Sequence, residues 1–492
     1  MEREESRRKQ TISKEESKNR RRKASTGKPY VIVSYLFLGL FLGMIGYMIY
    51  FQVYKSEDFL NSPYNKRQDK YEEHIVRGSI LASDGTVLAR TDVDEEGNES
   101  RVYPYNNLFA QVVGYSDYGS SGLEASENYT LLSSHADILE QLQKDFSSEK
   151  NIGDNLVTSL DMRLQQAASD ALGGNRGAVI VMNTETGKVL ADVSKPDFNP
   201  NTIAADWEAL NSEGSGSPFL NRALQGQYPP GSTFKIVTSL AYLRERGTFD
   251  DFSFNCTGEY TQGGYTIHCS GNTAHGQENF ADAFANSCNC AFSEIGTQLL
   301  GKTSLKSAAD ELRFNEAFSL GLPSVKSSFS LENSTADGLT MQTSIGQGDT
   351  LVSPVHMAMI AGAVANGGRM MEPSFVERVE SYTGTIVKEI APESLGQVMT
   401  AEEAYQLTEL MKGVVQRGTA AGELAGLPYD IAGKTGTAEY GSTADGTAHS
   451  WFVGFSNTGN SDIVVAVIVE GGGDGSAPAT PVARSIFETY FG

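Results

Sequence analysis

Three short groups of residues in this sequence have the types and spacing to do chemistry together. The first is Ser232 and Lys235, three apart in "YPPGSTFKIVTSLAYL". Pro229, Pro230 and Gly231 cannot continue a preceding helix, and serine is favoured where a new one begins, so Ser232 is expected at a helix N-terminus. Residues three apart on a helix share a side, which brings the lysine amine within reach of the hydroxyl. That pairing suits a nucleophile and its general base, and the helix dipole favours a developing oxyanion. An ordinary lysine, with a pKa near ~10.4, stays protonated at neutral pH, so burial or a second cation has to lower it.

The second group is Ser287 and Asn289 in "FADAFANSCNCAFSEIGTQLL". On one continuous helix they would point about 200° apart, so serving one site requires a turn between two helices. The third is "GKTGTA", Gly433 to Ala438, expected on a strand. There Thr435 and Thr437 share a face able to hydrogen-bond a carboxylate, Lys434 supplies the second cation, and Gly436 is expected to leave room for a ligand backbone. Taken singly these motifs are weak. Ser-x-x-Lys recurs at Ser6, Ser25 and Ser147, and Ser-x-Asn at Ser17 and Ser126, where solvated charge or capping explains them. The weight lies in their order and in the three kinds of element that carry them.

Those elements can be read from periodicity. "GAVIVMNTETGKVLADV" is a hairpin around Thr186-Gly187, and three later runs, 429–439, 450–455 and 462–472, read as strands. Between hairpin and strands, Ser232 to Met411 is mostly helical in pattern. Two early and three late strands predict one five-stranded antiparallel sheet flanked by helices, an α/β fold of the α+β type. From Lys55 to Asp154 the chain is polar and irregular, a spacer module in which Thr91 to Ser100 reads as an exposed loop.

The three motifs together resemble those of penicillin-binding proteins and class A β-lactamases, and the chain resembles a class B penicillin-binding protein over nearly its whole length. Further family-like stretches are "RGSILASDGTVLA" (77–89), "SGLE" (121–124), "LTMQTSIGQGDTLVSPVHMA" (339–358) and "SWFVGF" (450–455). The resemblance implies a penicillin-recognising transpeptidase domain on a β-rich pedestal, and a peptidoglycan D,D-transpeptidase activity that β-lactams inhibit covalently. Ser232 would attack the penultimate D-alanine carbonyl of a stem peptide, and a neighbouring stem's amine would resolve the acyl-enzyme. By motif position Lys235 is the base, Ser287 and Asn289 relay protons and position the peptide, and Lys434 tunes the cluster. Thr435, Gly436 and Thr437 line the substrate, with the amides of Ser232 and Thr437 as oxyanion donors. No metal or organic cofactor is implied. The usual partner would be a polytopic glycosyltransferase of the shape, elongation, division and sporulation family. Two departures stand out: Ser-Cys-Asn in place of the Ser-Asp-Asn of class A β-lactamases, at a middle position that varies among penicillin-binding proteins, and an arginine within "ELRFN" (311–315) where the family usually has glycine.

The chain's net charge is −22, yet Met1 to Lys28 holds 11 Lys/Arg against 5 Asp/Glu, so the remainder is more acidic still. Between them, Pro29 to Tyr54 carries no charge. As a helix its length of about 39 Å would cross a hydrocarbon core of about 30 Å. Bulky residues after the apolar run argue for an uncleaved anchor, and the basic cluster Asn19 to Lys23 places the N-terminus in the cytoplasm and the acidic bulk outside. The expected organisation is a basic tail (1–28), a membrane anchor (29–54), a pedestal (55–154) and a transpeptidase domain (155–492). An acidic exterior argues against nucleic acid as a partner.

Of four cysteines, Cys256 and Cys269 bracket a glycine-rich loop and could close a disulfide, while Cys288 and Cys290 lie two apart. His268 and His275 are near enough for zinc, but no Cys-x-x-Cys spacing supports it, and free or bridged thiols are expected. Other functions fit less well. A β-lactamase needs a deacylating glutamate: "EALN" (208–211) precedes Ser232, and "ELRFN" better matches the transpeptidase run. A membrane-bound β-lactam sensor would carry more spans, a silent scaffold need not keep both Ser232 and Lys434, and an unrelated serine hydrolase would show Gly-x-Ser-x-Gly.

Overall fold

The computed structural model describes residues 1–54, 73–137, 149–439, 448–459, 462–473 and 478–492, with a few positions between 141 and 147. The first part of the expected pedestal, 55–72, lies outside the described residues. Two units are distinguished, Met1–Lys66 and Arg67–Gly492. In the first, a helix covers Glu2–Tyr54. Within it Tyr30–Gln52 is long and apolar enough to cross a membrane, and none of that stretch is buried against protein.

The second unit is built on a five-stranded antiparallel sheet in the order 431–439, 448–456, 463–469, 177–183, 189–195. Its central strand, Ile463–Val469, is apolar at every position and buried at every position, which requires cover on both faces. Pro354–Ala365 packs against it together with the neighbouring strands, and Met162–Leu172 and Ala479–Phe491 pack against each other and the sheet. The hairpin and the three late strands expected from the sequence are all present.

Two expectations need correction. The stretch 232–411 is not simply helical: short strands at 253–256, 259–262, 265–268 and 276–279 form two antiparallel pairs, the second and third within the first and last, and strands at 369–371, 376–380, 386–389 and 394–397 follow. Most of these are four or five residues long, below the length at which alternation separates from a helical period. Thr91 to Ser100 is also not a loop. Val87–Val93 pairs with Glu99–Val102, and only the Asp94–Asn98 connection turns. The acidic residues there mark an exposed strand edge.

That hairpin belongs to a six-stranded sheet ordered 386–389, 376–380, 155–158, 80–81, 87–93, 99–102. Glu124, from "SGLE", anchors the module. It is fully buried, with Arg77 Nε at 2.6 Å from one carboxylate oxygen and Arg101 Nε at 2.7 Å from the other. Burial pushes this carboxyl up, but Arg101 and Arg77 outweigh it and hold it below the usual range. Glu124→Gln leaves two guanidinium groups short of their counter-charge. A loss of about 3 kcal/mol is expected, read as a lower denaturation midpoint at unchanged slope.

Candidate active site

Gly231–Phe234 forms one turn of 3₁₀-helix that runs into the α-helix Lys235–Arg246, which Gly247 ends in the left-handed conformation. Ser232 therefore lies inside a turn that precedes the α-helix, whose N-cap position is taken by Phe234, rather than capping it. The turn is pinned by its neighbours. Gly231 has φ +52°, and a Cβ there would lie 2.4 Å from the carbonyl oxygen of Thr437. Its N–H donates to Gly346 O at 2.8 Å, and Trp451 Nε1 donates to Pro229 O at 3.1 Å. Ser232 is half-buried while Lys235 is fully buried.

The expected inter-helix turn is present between Phe280–Ala285 and Asn289–Glu294. Ser287 takes φ +58° there, a value that few non-glycine residues adopt. This strained residue is where the two lysines converge. Lys235 Nζ donates to Ser287 O at 2.6 Å, to Asn289 Oδ1 at 2.8 Å and to Ser287 Oγ at 3.2 Å. Lys434 Nζ donates to the same hydroxyl at 2.9 Å. Ser232 Oγ is not among the acceptors of Lys235: the three oxygens of the second motif claim the amine first.

The third motif lies on Ile431–Glu439, paired antiparallel to Ala448–Ser456 with Gly436 opposite Trp451. Thr435 and Thr437 share a face, as expected. The space at Gly436 is not left for a ligand. A Cβ there would lie 3.1 Å from Pro230 O, from Thr233 Cγ2 and from Trp451 Cβ, so the glycine lets the strand close on the Ser232 turn. Two further residues, not singled out in the sequence, complete this edge. Thr419 shares a short hydroxyl–hydroxyl hydrogen bond with Thr435, and Gln347 Nε2 donates to Thr437 O at 3.3 Å. Gln347 sat inside a family-like stretch, whereas Thr419 carried no signal beyond an Arg-Gly-Thr helix ending.

Burial draws Lys235 down to about 8, with the sulfurs of Cys288, Cys269 and Cys290 and the carboxyl of Glu278 pulling the other way. Lys434 is drawn well below the ordinary value by its own burial and then by Lys235. Of the two causes expected for Lys235, burial or a second cation, burial is the one that acts on it, and the repulsion falls on Lys434. Two ammonium groups facing one hydroxyl repel each other, and that repulsion adds to burial in drawing Lys434 down.

Residues 177–488 match the model of the penicillin-binding protein transpeptidase domain. The chain belongs to that family. Residues 77–156 match the penicillin-binding protein A dimerisation domain, so the family's two modules account for most of the second unit. Among curated relatives, the peptidoglycan D,D-transpeptidase PbpA of Mycolicibacterium smegmatis is 33% identical over 467 residues, covering 88% of this chain and 93% of that protein. Among solved structures, the imipenem acyl-enzyme of penicillin-binding protein A from M. tuberculosis superposes with a TM-score of 0.78 at 29% identity, covering 86% of this chain and 100% of that one. The D,D-transpeptidase domain of a peptidoglycan glycosyltransferase from Eggerthella lenta gives 0.76 at 31%, covering 84% and 98%.

Proposed function

We propose that this chain is a class B peptidoglycan D,D-transpeptidase that works through an acyl-enzyme on Ser232 and is inhibited covalently by β-lactams. The observation that carries this reading is the convergence of Lys235 and Lys434 on the hydroxyl of Ser287, beside the Ser232 turn. Ser232 Oγ attacks the penultimate D-alanine carbonyl of a stem peptide. Its proton passes to Lys235 in the fraction whose amine is neutral, and on through Ser287 Oγ to the departing nitrogen. The peptide C–N bond breaks, D-alanine leaves, and the ester that remains is attacked by an amine of a neighbouring stem. The amides of Ser232 and Thr437 hold the oxyanion, on the order of 10² to 10³ in rate per donor. Thr435 and Thr437 receive the substrate's terminal carboxylate, with Thr419 fixing the orientation of the Thr435 hydroxyl. Gly436 acts by letting the strand approach.

A hydrolase reading is disfavoured by the carboxylates themselves. Glu311 pairs with Arg244 at 2.8 Å, near the far end of the helix that Lys235 begins, and Glu208 lies exposed on the helix Ile203–Leu210. Glu311 is thus held by a cation about nine residues along the helix from Lys235 rather than beside the Ser232 turn. The apolar helix at Tyr30–Gln52 supports a single-pass anchor, and the basic residues before it support a cytoplasmic N-terminus with the catalytic domain outside. The organisation we propose is tail 1–28, anchor 29–54, pedestal 55–154 and transpeptidase 155–492, with a polytopic glycosyltransferase as membrane partner.

The test is intact-mass analysis of the purified chain after incubation with a penicillin. A stable adduct of one penicillin, mapped to the peptide holding Ser232, is expected. Rapid penicillin turnover without an adduct would make the chain a β-lactamase, and no reaction at all would leave a scaffold.

A further inference from the structure

The site above uses the flanks of the Ser-Cys-Asn motif and leaves its centre unexplained. Cys288 is fully buried, and its sulfur lies in a cluster of sulfur and nitrogen atoms. Cys256, Cys269, His275 and Cys288 each offer a ligand atom, and these four atoms lie within 4.8 Å of one another. The individual edges are 3.7 Å between Cys256 and Cys269 Sγ, 3.7 Å between Cys269 and Cys288 Sγ, and 3.5 Å between Cys256 Sγ and His275 Nδ1. A tetrahedron with metal–sulfur bonds of about 2.3 Å and a metal–nitrogen bond of about 2.0 to 2.1 Å has S···S edges of about 3.8 Å and S···N edges of about 3.5 Å. Disulfide sulfurs would be about 2.05 Å apart.

The surroundings suit a metal as well. The four strands between 253 and 279 are exposed or half-exposed at every position except Cys256 and Glu278. This lobe has almost no apolar core of its own, and a segment so poor in buried surface needs a staple. The thiols are its interior. Around them the N–H of Ala291 donates to Cys288 Sγ at 3.4 Å, the kind of outer contact that orients a ligating thiolate. Asn289 Nδ2 donates to the carbonyl of His268 at 3.1 Å, joining the lobe to the catalytic turn.

We propose that Cys256, Cys269, His275 and Cys288 bind one zinc ion in a closed tetrahedral site that fastens the 253–279 lobe to the turn carrying Ser287 and Asn289. Four protein ligands leave no open position, so the ion is structural. Three thiolates and an imidazole select zinc over magnesium or calcium, which take oxygen ligands. Binding displaces the three thiol protons to solvent. Cys290, whose sulfur lies 3.3 Å from Cys269 Sγ and turns toward Ile267 O, stands outside the tetrahedron. The ion would hold Ser287 in its left-handed conformation, through the residue that follows it.

The experiment is elemental analysis of the full-length chain purified in detergent without chelator. About one zinc per chain is expected. Replacing the zinc with cadmium should produce an ultraviolet thiolate-to-metal charge-transfer band that saturates at one equivalent. Cys256→Ser and His275→Gln should each lose most of the zinc, and Cys290→Ser should keep it. If the first two variants do not fold, the cadmium titration of the unmodified chain decides alone. A chain that holds no zinc and gives no cadmium band overturns the site. So does an intact mass two hydrogens low with a cross-linked Cys269–Cys288 peptide. Zinc loss in Cys290→Ser as complete as in Cys256→Ser overturns the ligand set.

Discussion

Ser232→Ala is expected to abolish the penicillin adduct and to lower stem-peptide turnover by on the order of 10⁴-fold or more, with no measurable change in stability. The two halves of that expectation have separate grounds. Chemically, removal of Oγ removes the only atom on which the acyl group is carried, so the lysines and the oxyanion amides have nothing to activate. Structurally, the turn is held by groups that alanine retains. Gly231 packs against Thr437 O and its N–H bonds Gly346 O, neither of them through the Ser232 side chain. A substitution that deletes a half-buried hydroxyl without orphaning a partner stays within about 0.5 kcal/mol. Thermal unfolding measured beside the mass adduct therefore separates loss of the nucleophile from loss of the fold. A folded Ser232→Ala chain that still carried a penicillin adduct would move the nucleophile elsewhere.

The parts of this site that were legible in the sequence are those set by local geometry. Pro229-Pro230-Gly231 forces a break, Gly247 ends the helix, and the polar Ser287 and Asn289 interrupt an apolar period where a turn proved to lie. The five-stranded sheet was legible because its strands are seven to nine residues long and its central strand is apolar throughout. What was not legible depends on distant contacts. Gly436 reads as room for a ligand until Pro230 and Trp451 are found filling that space. Thr419 joins the site because the loop after Ala401–Gln416 folds onto the end of Phe280–Ala285, where its N–H reaches Ala285 O. The sulfur cluster is split over 33 residues with no ligand pair at a short fixed spacing, so pattern matching passes over it.

Lys235→Arg is expected to slow acylation by about 10² to 10⁴-fold, and the pH profile shows why a conserved positive charge does not rescue it. The base must accept a proton, and a guanidinium stays protonated at any working pH. In the unmodified chain Lys235 is drawn by burial to about 8, so its neutral fraction, and with it the acylation rate, rises about tenfold per pH unit below that value and levels off above it. The sign follows from the role: a base works in its deprotonated form, so activity is lost as pH falls through 8, not as it rises. Lys434→Met then distinguishes two causes. If repulsion from Lys434 set the value, removing that amine would carry the midpoint toward the ordinary lysine range. Because burial is what lowers it, the midpoint should remain near 8 while the rate drops through loss of the second donor to Ser287 Oγ. Stopped-flow acylation by a chromogenic cephalosporin, followed from pH 6 to 10 in both variants, reads rate and midpoint together. An upward shift of a full unit or more in Lys434→Met would return the control of Lys235 to its neighbour's charge.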